Sequence, residues 1–332
     1  MANETIIKKV FSISPIIEIL VRTLYYSNIK FLKNFVHFYR VNPYLAGSKI
    51  IKRKNPKKRK IEFKEILKFL KDNYVSQGDL IILISSYKNI KNSGYSPDQV
   101  IESLMDLIGE NGTLAMSARP DFHVNLDTYM SEKEDDNVYT YDVNKTKCNT
   151  GIIAQKLLLK ENSIRSRNPI NSMVAIGPLA NEIMKDNLVD NNSLPHGKDS
   201  SWYKCVLNKA KIISLGVDLT QAATITKTVE DVFYDKWPVK DWYIKKKYLI
   251  KDGLFRSNNI LRERSPKWSL HYAERTMCKD LIKNDILFTH DFNGLKVEIA
   301  NSQEIFSFIS KKLKHSYPYF YTKYNLIKFV NR

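Results

Sequence analysis

Cysteine is scarce: Cys148, Cys205 and Cys278 are the three in 332 residues, and no two sit at a CxxC spacing. That excludes a disulfide scaffold and a cysteine-based structural zinc site, and it suits a reduced, cytoplasmic setting. The six histidines are dispersed, none at ligand spacing from a cysteine or an acid, so no metal centre is expected. No stretch approaches the roughly 20 apolar residues that a membrane-spanning helix needs. A secretory leader is also missing, because Glu18 and Arg22 interrupt the apolar run after Lys8 and Lys9 and no small-residue cleavage site follows. Without a Walker A loop or a GxGxxG turn, neither NTPase nor dinucleotide chemistry has support. A GxSxG nucleophile elbow is absent as well.

What the chain does carry is positive charge, a net +18. Such a balance suits an anionic partner such as a phosphorylated ligand, nucleic acid or an acidic membrane surface. Most lysines are scattered, however, and serve solubility on solvated faces. The dense block is Lys52-Arg53-Lys54 and Lys57-Lys58-Arg59-Lys60, with no aromatic residue interleaved to stack on bases, so no nucleic-acid partner is expected. Ahead of it, Ser14-Pro15 has the form of a helix start, serine as N-cap and proline at the first position. Ile16, Ile17, Leu20, Val21 and Leu24 follow at helical spacing, and Phe31, Leu32, Phe35 and Val36 form a second apolar set. Residues 1–61 thus read as a helical, basic N-terminal extension that packs on its own domain or a second subunit. A membrane-surface contact is the alternative for it.

Residues 62–332 read as one α/β domain. Leu80-Ile81-Ile82-Leu83-Ile84 is an unbroken apolar run, as in a strand buried on both faces. Ser96-Pro97 opens a helix with Val100, Ile101, Leu104, Leu107 and Ile108 inward, closed by Gly109. Thr113-Leu114-Ala115-Met116 is the next strand, which makes a right-handed βαβ unit with parallel strands. Lys211 to Leu215 is a third strand, and a helix follows near Ala222 to Phe233. Asp252-Gly253 and Asn293-Gly294 are hairpin signals. A closing helix begins near Ser302. The expected architecture is a mixed, largely parallel central sheet with flanking helices and antiparallel hairpins toward the C-terminus.

In open α/β sheets ligands bind beyond the carboxyl ends of the strands. Three such ends carry polar groups here: Ser85-Ser86-Tyr87-Lys88, Ser117-Ala118-Arg119 and Gly216-Val217-Asp218. With Lys91 nearby, these hydroxyls, amides and cations suit a phosphate-bearing, amide-rich ligand. Turn capping alone also accounts for serines at strand ends.

Several segments together are similar to one family. Gly78-Asp79-Leu80 through Ser85-Ser86, Gly109 to Leu114 and Asn149-Thr150-Gly151 occur in order. They are followed by Arg165-Ser166-Arg167-Asn168-Pro169-Ile170-Asn171-Ser172, running on to Ala175 and Gly177. Gly197-Lys198-Asp199-Ser200-Ser201-Trp202 and Thr224 to Glu230 complete the set. This order, from about residue 75 to Tyr317, resembles the aminoglycoside 3-N-acetyltransferase family. The resemblance implies that family's α/β fold and transfer of an acetyl or similar acyl group from acetyl-CoA. The acceptor it implies is an amine of an amino sugar, nucleotide sugar or aminoglycoside. It also implies that Ser85, Ser86, Tyr87, Ser117 and Arg119 face CoA, and that Thr224, Asn171 and Asp218 lie on the acceptor side.

Departures from the family pattern fall on its histidines. Ile84 stands before the Ser-Ser pair, Asn168 and Asn171 stand in the Arg-Ser-x-His-Pro segment, and Lys227 stands in Thr-x-x-His-x-x-Glu. The obvious general base is therefore missing. Replacement candidates are Glu230, Asp231 or Asp218 as proton acceptor, and above all His196, which adjoins the matched Gly197 turn; His123 is a second imidazole without a role. Lys227 and Glu230 lie three residues apart, so they suit either catalysis or a helix-surface ion pair. The alternative to an active enzyme is a degraded one that keeps the fold as a binding or scaffold protein.

Overall fold

The computed structural model describes residues 14–27, 62–122, 136–188, 190, 193–219 and 223–320. The basic block at 52–60, the second apolar set and His123 lie outside the described residues. In chain order the helices are α1 (Pro15–Ser27), α2 (Phe63–Asn73), α3 (Tyr87–Ile90), α4 (Pro97–Ile108) and α5 (Ile152–Leu158). They continue with α6 (Ala180–Met184), α7 (Ser201–Leu207), α8 (Lys227–Val232), α9 (Glu274–Lys283) and α10 (Ser302–Ser310). The strands are β1 (Leu80–Ser85), β2 (Thr113–Ser117), β3 (Val138–Asp142), β4 (Ile164–Arg165) and β5 (Met173–Ile176). After them come β6 (Lys211–Leu215), β7 (Tyr243–Asp252), β8 (Phe255–Arg264), β9 (Leu287–Phe292) and β10 (Leu295–Asn301).

Seven strands form one mixed sheet in the order β4-β5-β2-β1-β6-β10-β9. β2, β1 and β6 run parallel, and antiparallel pairs are added on both sides, β5 and β4 beyond β2, β10 and β9 beyond β6. The parallel part is thus the central three strands, and one antiparallel margin, β4–β5, comes from mid-chain and not from near the C-terminus. The expected βαβ unit is present. Ser96 accepts from the Gln99 amide at 3.1 Å while Gln99 accepts from the Ser96 amide at 2.8 Å, a reciprocal cap that fixes where α4 begins. Both hairpins form, β9–β10 within this sheet and β7–β8 in a separate three-stranded sheet ordered β3-β7-β8. That second sheet was not foreseen, since β3 joins β7 in parallel from about a hundred residues upstream.

Strand alternation divides the core between the two sheet faces. Leu80, Ile82 and Ile212 pack with Trp202, Leu281 and Ile305 on one side. Ile81, Leu83 and Ile213 meet Ile66, Leu70 and Leu104 of α2 and α4 on the other. Near the N-terminus the expected serine cap of α1 is made, the Ile17 amide donating to Ser14 Oγ at 3.2 Å. Glu18 of α1 is fully buried and accepts from the Arg275 amide at 2.9 Å and the Thr276 amide at 3.1 Å. An acid at the first turn of α9 satisfies donors that the helix leaves open, which docks α1 on the domain.

Gly177, in the segment after Asn171, shows why a glycine is needed there. Its φ is +119°, and a Cβ would lie 2.3 Å from the Gly112 carbonyl oxygen and 2.8 Å from Thr113 Cα. Both obstacles are backbone, so they cannot rotate away. Gly177→Ala is expected to destabilise the fold by about 3 kcal/mol or more, read as a lowered urea midpoint. A midpoint within error of the parent would contradict this packing.

Candidate active site

The carboxyl ends of β1, β2 and β6 open into a cavity of about 780 Å³. Its lining joins Ser85, Ser86, Tyr87, Lys88 and Lys91 after β1 to Ser117 and Arg119 after β2, and Val217 after β6. Gly216 permits this convergence: with φ +69° it lets Asn89 approach and donate to its carbonyl at 2.6 Å. The hydroxyls of Ser85, Ser86 and Ser117 make no hydrogen bond to the described protein, so they remain available to a ligand. Thr150 of the Thr-Gly step donates to the Ser117 carbonyl at 2.6 Å, and Arg119 Nε donates to Asn149 Oδ1 at 3.1 Å. All five residues expected at the CoA side therefore meet in one cavity. Thr224, expected on the acceptor side, lines this same cavity.

A second cleft of about 370 Å³ adjoins the first through Arg119, Asn149 and Asn171. Phe122, Tyr139 and Tyr248 form an aromatic wall, with ring centroids 5.3 to 5.9 Å apart. Lys246 and Glu263 pair at 2.8 Å on its floor. Asn171 lines both clefts and a third, small cavity of about 20 Å³ that also touches His196, Lys227, Glu230 and Asp231. Its φ of +52°, tolerated by asparagine, turns its side chain to this junction. Trp202 from the Gly-x-x-Ser-x-Trp turn donates to its carbonyl at 2.8 Å.

His196 is 4% exposed. Its amide and its Nδ1 both face Asp231 Oδ2, at 2.9 and 3.0 Å, and Tyr243 donates to Asp231 Oδ1 at 2.7 Å. With Nδ1–H given to the carboxylate, Nε2 is an acceptor, and it takes the Asn171 amide at 3.1 Å. Burial lowers the His196 pKa below the usual imidazole range, against the opposing pull of Asp231. The lowered pKa favours the neutral ring, whose Nε2 faces Asn171 in the small third cavity, one residue removed from the two clefts.

Glu230 is buried beside this pair. It accepts from Trp242 Nε1 at 3.2 Å and from the Tyr319 hydroxyl, which in turn accepts from Arg264. Burial pushes its carboxyl up to about 7, opposed by the Arg264 charge and the Tyr319 donor. Lys227 is half-buried with its pKa lowered to about 8, by burial first and then by Arg264. The two make no ion pair with each other, so the helix-surface pair is not what holds them.

Two expected site residues stand elsewhere. Asn168 is 4% exposed, lines none of these cavities, and uses its Oδ1 to cap the Ile170 amide at 2.9 Å. Its role is to shape the turn that delivers Asn171. Asp218 pairs with Lys296 at 2.5 Å and reaches Arg275 at 3.9 Å, outside the cleft lining. Charge neutralisation between β6 and β10 accounts for it. Asn149 carries only the Thr-Gly step in the sequence, and Tyr243 has no local signal; their places come from contacts with Arg119 and Asp231.

Residues 82–314 match the profile of the aminoglycoside 3-N-acetyltransferase family. The chain belongs to this family. It is 26% identical over 157 residues to aminoglycoside N(3)-acetyltransferase IX of Micromonospora chalcea, covering 45% of this chain and 55% of that one. The chain thus spans about half the length of that relative. Among solved structures, the apoenzyme of aminoglycoside acetyltransferase AAC(3)-IVa aligns over 81% of this chain and 95% of its own, at 17% identity and TM-score 0.61. AAC-IIIb in binary complex with CoASH aligns over 76% of this chain and 96% of its own, at 16% identity and TM-score 0.61. These likenesses establish that the acetyltransferase fold is shared.

Proposed function

We propose that the protein transfers an acetyl group from acetyl-CoA to an amine of an amino sugar or aminoglycoside. The observation that carries this reading is the meeting, at Asn171, of two clefts that differ in chemistry. The larger has three cations, Lys88, Lys91 and Arg119, and free serine hydroxyls, which suit the phosphates and amides of CoA. The smaller has an aromatic wall that suits the apolar face of a sugar ring.

His196, oriented by Asp231, is the residue best suited to take the proton from the acceptor amine at the junction. As the amine nitrogen bonds to the thioester carbonyl carbon, the carbon–sulfur bond breaks and CoA leaves as thiolate. The proton held by His196 Nε2 can then return to that sulfur, which restores the neutral ring. Asn171 yields its contact with Nε2 to the amine. Holding donor and acceptor together contributes more than the base, roughly 7–11 kcal/mol against about 10²–10⁴ in rate. The chain therefore has an imidazole for the role that the family's missing histidines vacate, which favours an active enzyme over a scaffold.

Lys88 and Lys91 are both exposed, and their charges act on CoA phosphates at long range. Lys88→Ala/Lys91→Ala is expected to raise KM for acetyl-CoA about tenfold at low ionic strength with kcat little changed, an effect that shrinks as salt screens it. Initial-rate kinetics at two salt concentrations check this. An unchanged KM would remove the phosphates from this part of the cavity.

A further inference from the structure

The β7–β8 hairpin carries an outer face that the proposed reaction leaves unused. Its register sets Lys245 directly opposite Arg262 and Lys251 directly opposite Arg256, with Lys247 opposite Ile260 between them. Alternation puts all six on one face, while Lys246, Tyr248 and Glu263 on the other face belong to the second cleft. Like charges placed across from each other disfavour strand pairing. Among the described residues Asp136 pairs with Lys247 at 2.9 Å, and Arg262 lies over the Tyr234 ring.

Apolar groups stand out among these cations. Leu254 at the hairpin tip is fully exposed, Phe255 beside it is 41% exposed, and Ile260 is 49% exposed. Arg167 stacks 4.9 Å over the Phe255 ring and pairs with Asp252 at 2.6 Å, which brings a further cation to the tip. Protruding aliphatic and aromatic side chains ringed by lysine and arginine are what an interface between anionic headgroups and hydrocarbon accommodates. A second copy of this chain would bring like charge against like. A nucleic acid would leave Leu254 without an apolar partner.

We propose that this hairpin docks the protein on an anionic lipid bilayer, the tip entering the headgroup layer and the basic outer face lying against it. The test is co-sedimentation of the full chain with vesicles of phosphatidylcholine containing about 30% phosphatidylserine, beside vesicles of phosphatidylcholine alone. The parent is expected to bind the anionic vesicles at least about tenfold more tightly, and less so in high salt. Lys245→Glu/Lys251→Glu/Arg256→Glu should weaken that binding more than tenfold, since each basic residue near such a surface contributes about fivefold. Leu254→Ser, at a fully exposed side chain, should weaken it several-fold with the unfolding midpoint unchanged. Absence of parent binding to anionic vesicles would overturn the proposal. So would parent-like binding by both variants, which would locate the contact in another part of the chain. Binding to duplex nucleic acid with indifference to vesicles would overturn it as well.

Discussion

His196→Gln is expected to lower kcat by about 10²–10⁴, the range for losing a positioned general base, with KM for acetyl-CoA little changed. Glutamine retains a polar side chain of similar reach but cannot accept and return a proton. Asp231→Asn should lower kcat in the same direction, because the amide no longer holds Nδ1–H and the tautomer that frees Nε2 loses its support. The pH profile separates this role from a structural one. A base must be unprotonated, so kcat/KM should fall as pH drops through the His196 pKa. Burial lowers that pKa, which puts the acid limb below the usual imidazole range. In Asp231→Asn the carboxylate's pull is gone, and the limb should move to still lower pH. A profile unmoved by both substitutions would take His196 out of the reaction.

Arg165→Leu is expected to destabilise the fold as strongly as any substitution in the chain's buried network. This arginine, 6% exposed, donates to the carbonyls of Ala118, Val143 and Thr146 and lies 5.0 Å from the Tyr141 ring. Leucine would leave the Val143 and Thr146 carbonyls without this donor, at about 1–3 kcal/mol each, while the Ala118 carbonyl keeps the Ser172 hydroxyl. A loss of about 3 kcal/mol or more is therefore expected, measured as the denaturation midpoint at fixed m-value. The same contacts tie the segment carrying Arg119 to the segment carrying Asn149, so affinity for acetyl-CoA should fall with stability. A variant as stable as the parent would show that these carbonyls find other donors.

The sequence reading was most successful where information is local. The capped helix α4, the strand of unbroken apolar residues at Leu80, and both Asx-Gly hairpins are set by neighbouring residues. The polar strand ends also followed, because any parallel βαβ arrangement gathers them at one edge of the sheet. Long-range partnerships were not legible. Nothing local announces that His196 will meet Asp231, 35 residues on, or that Glu18 will cap a helix 257 residues away. Asn168 and Asn171 looked alike as replaced histidines, and backbone geometry separates them. A left-handed φ swings Asn171 to the clefts, while Asn168 turns inward to brace the same loop. Thr224, placed on the acceptor side by its motif, lines the cavity that also holds the strand-end serines.

Calorimetric titration of the full chain with acetyl-CoA tests the central claim most directly. The account predicts saturable one-to-one binding, weakened in Lys88→Ala/Lys91→Ala. At a ligand concentration 100 times Kd it also predicts about 2.7 kcal/mol of added stability. No heat of binding up to millimolar acetyl-CoA would contradict it.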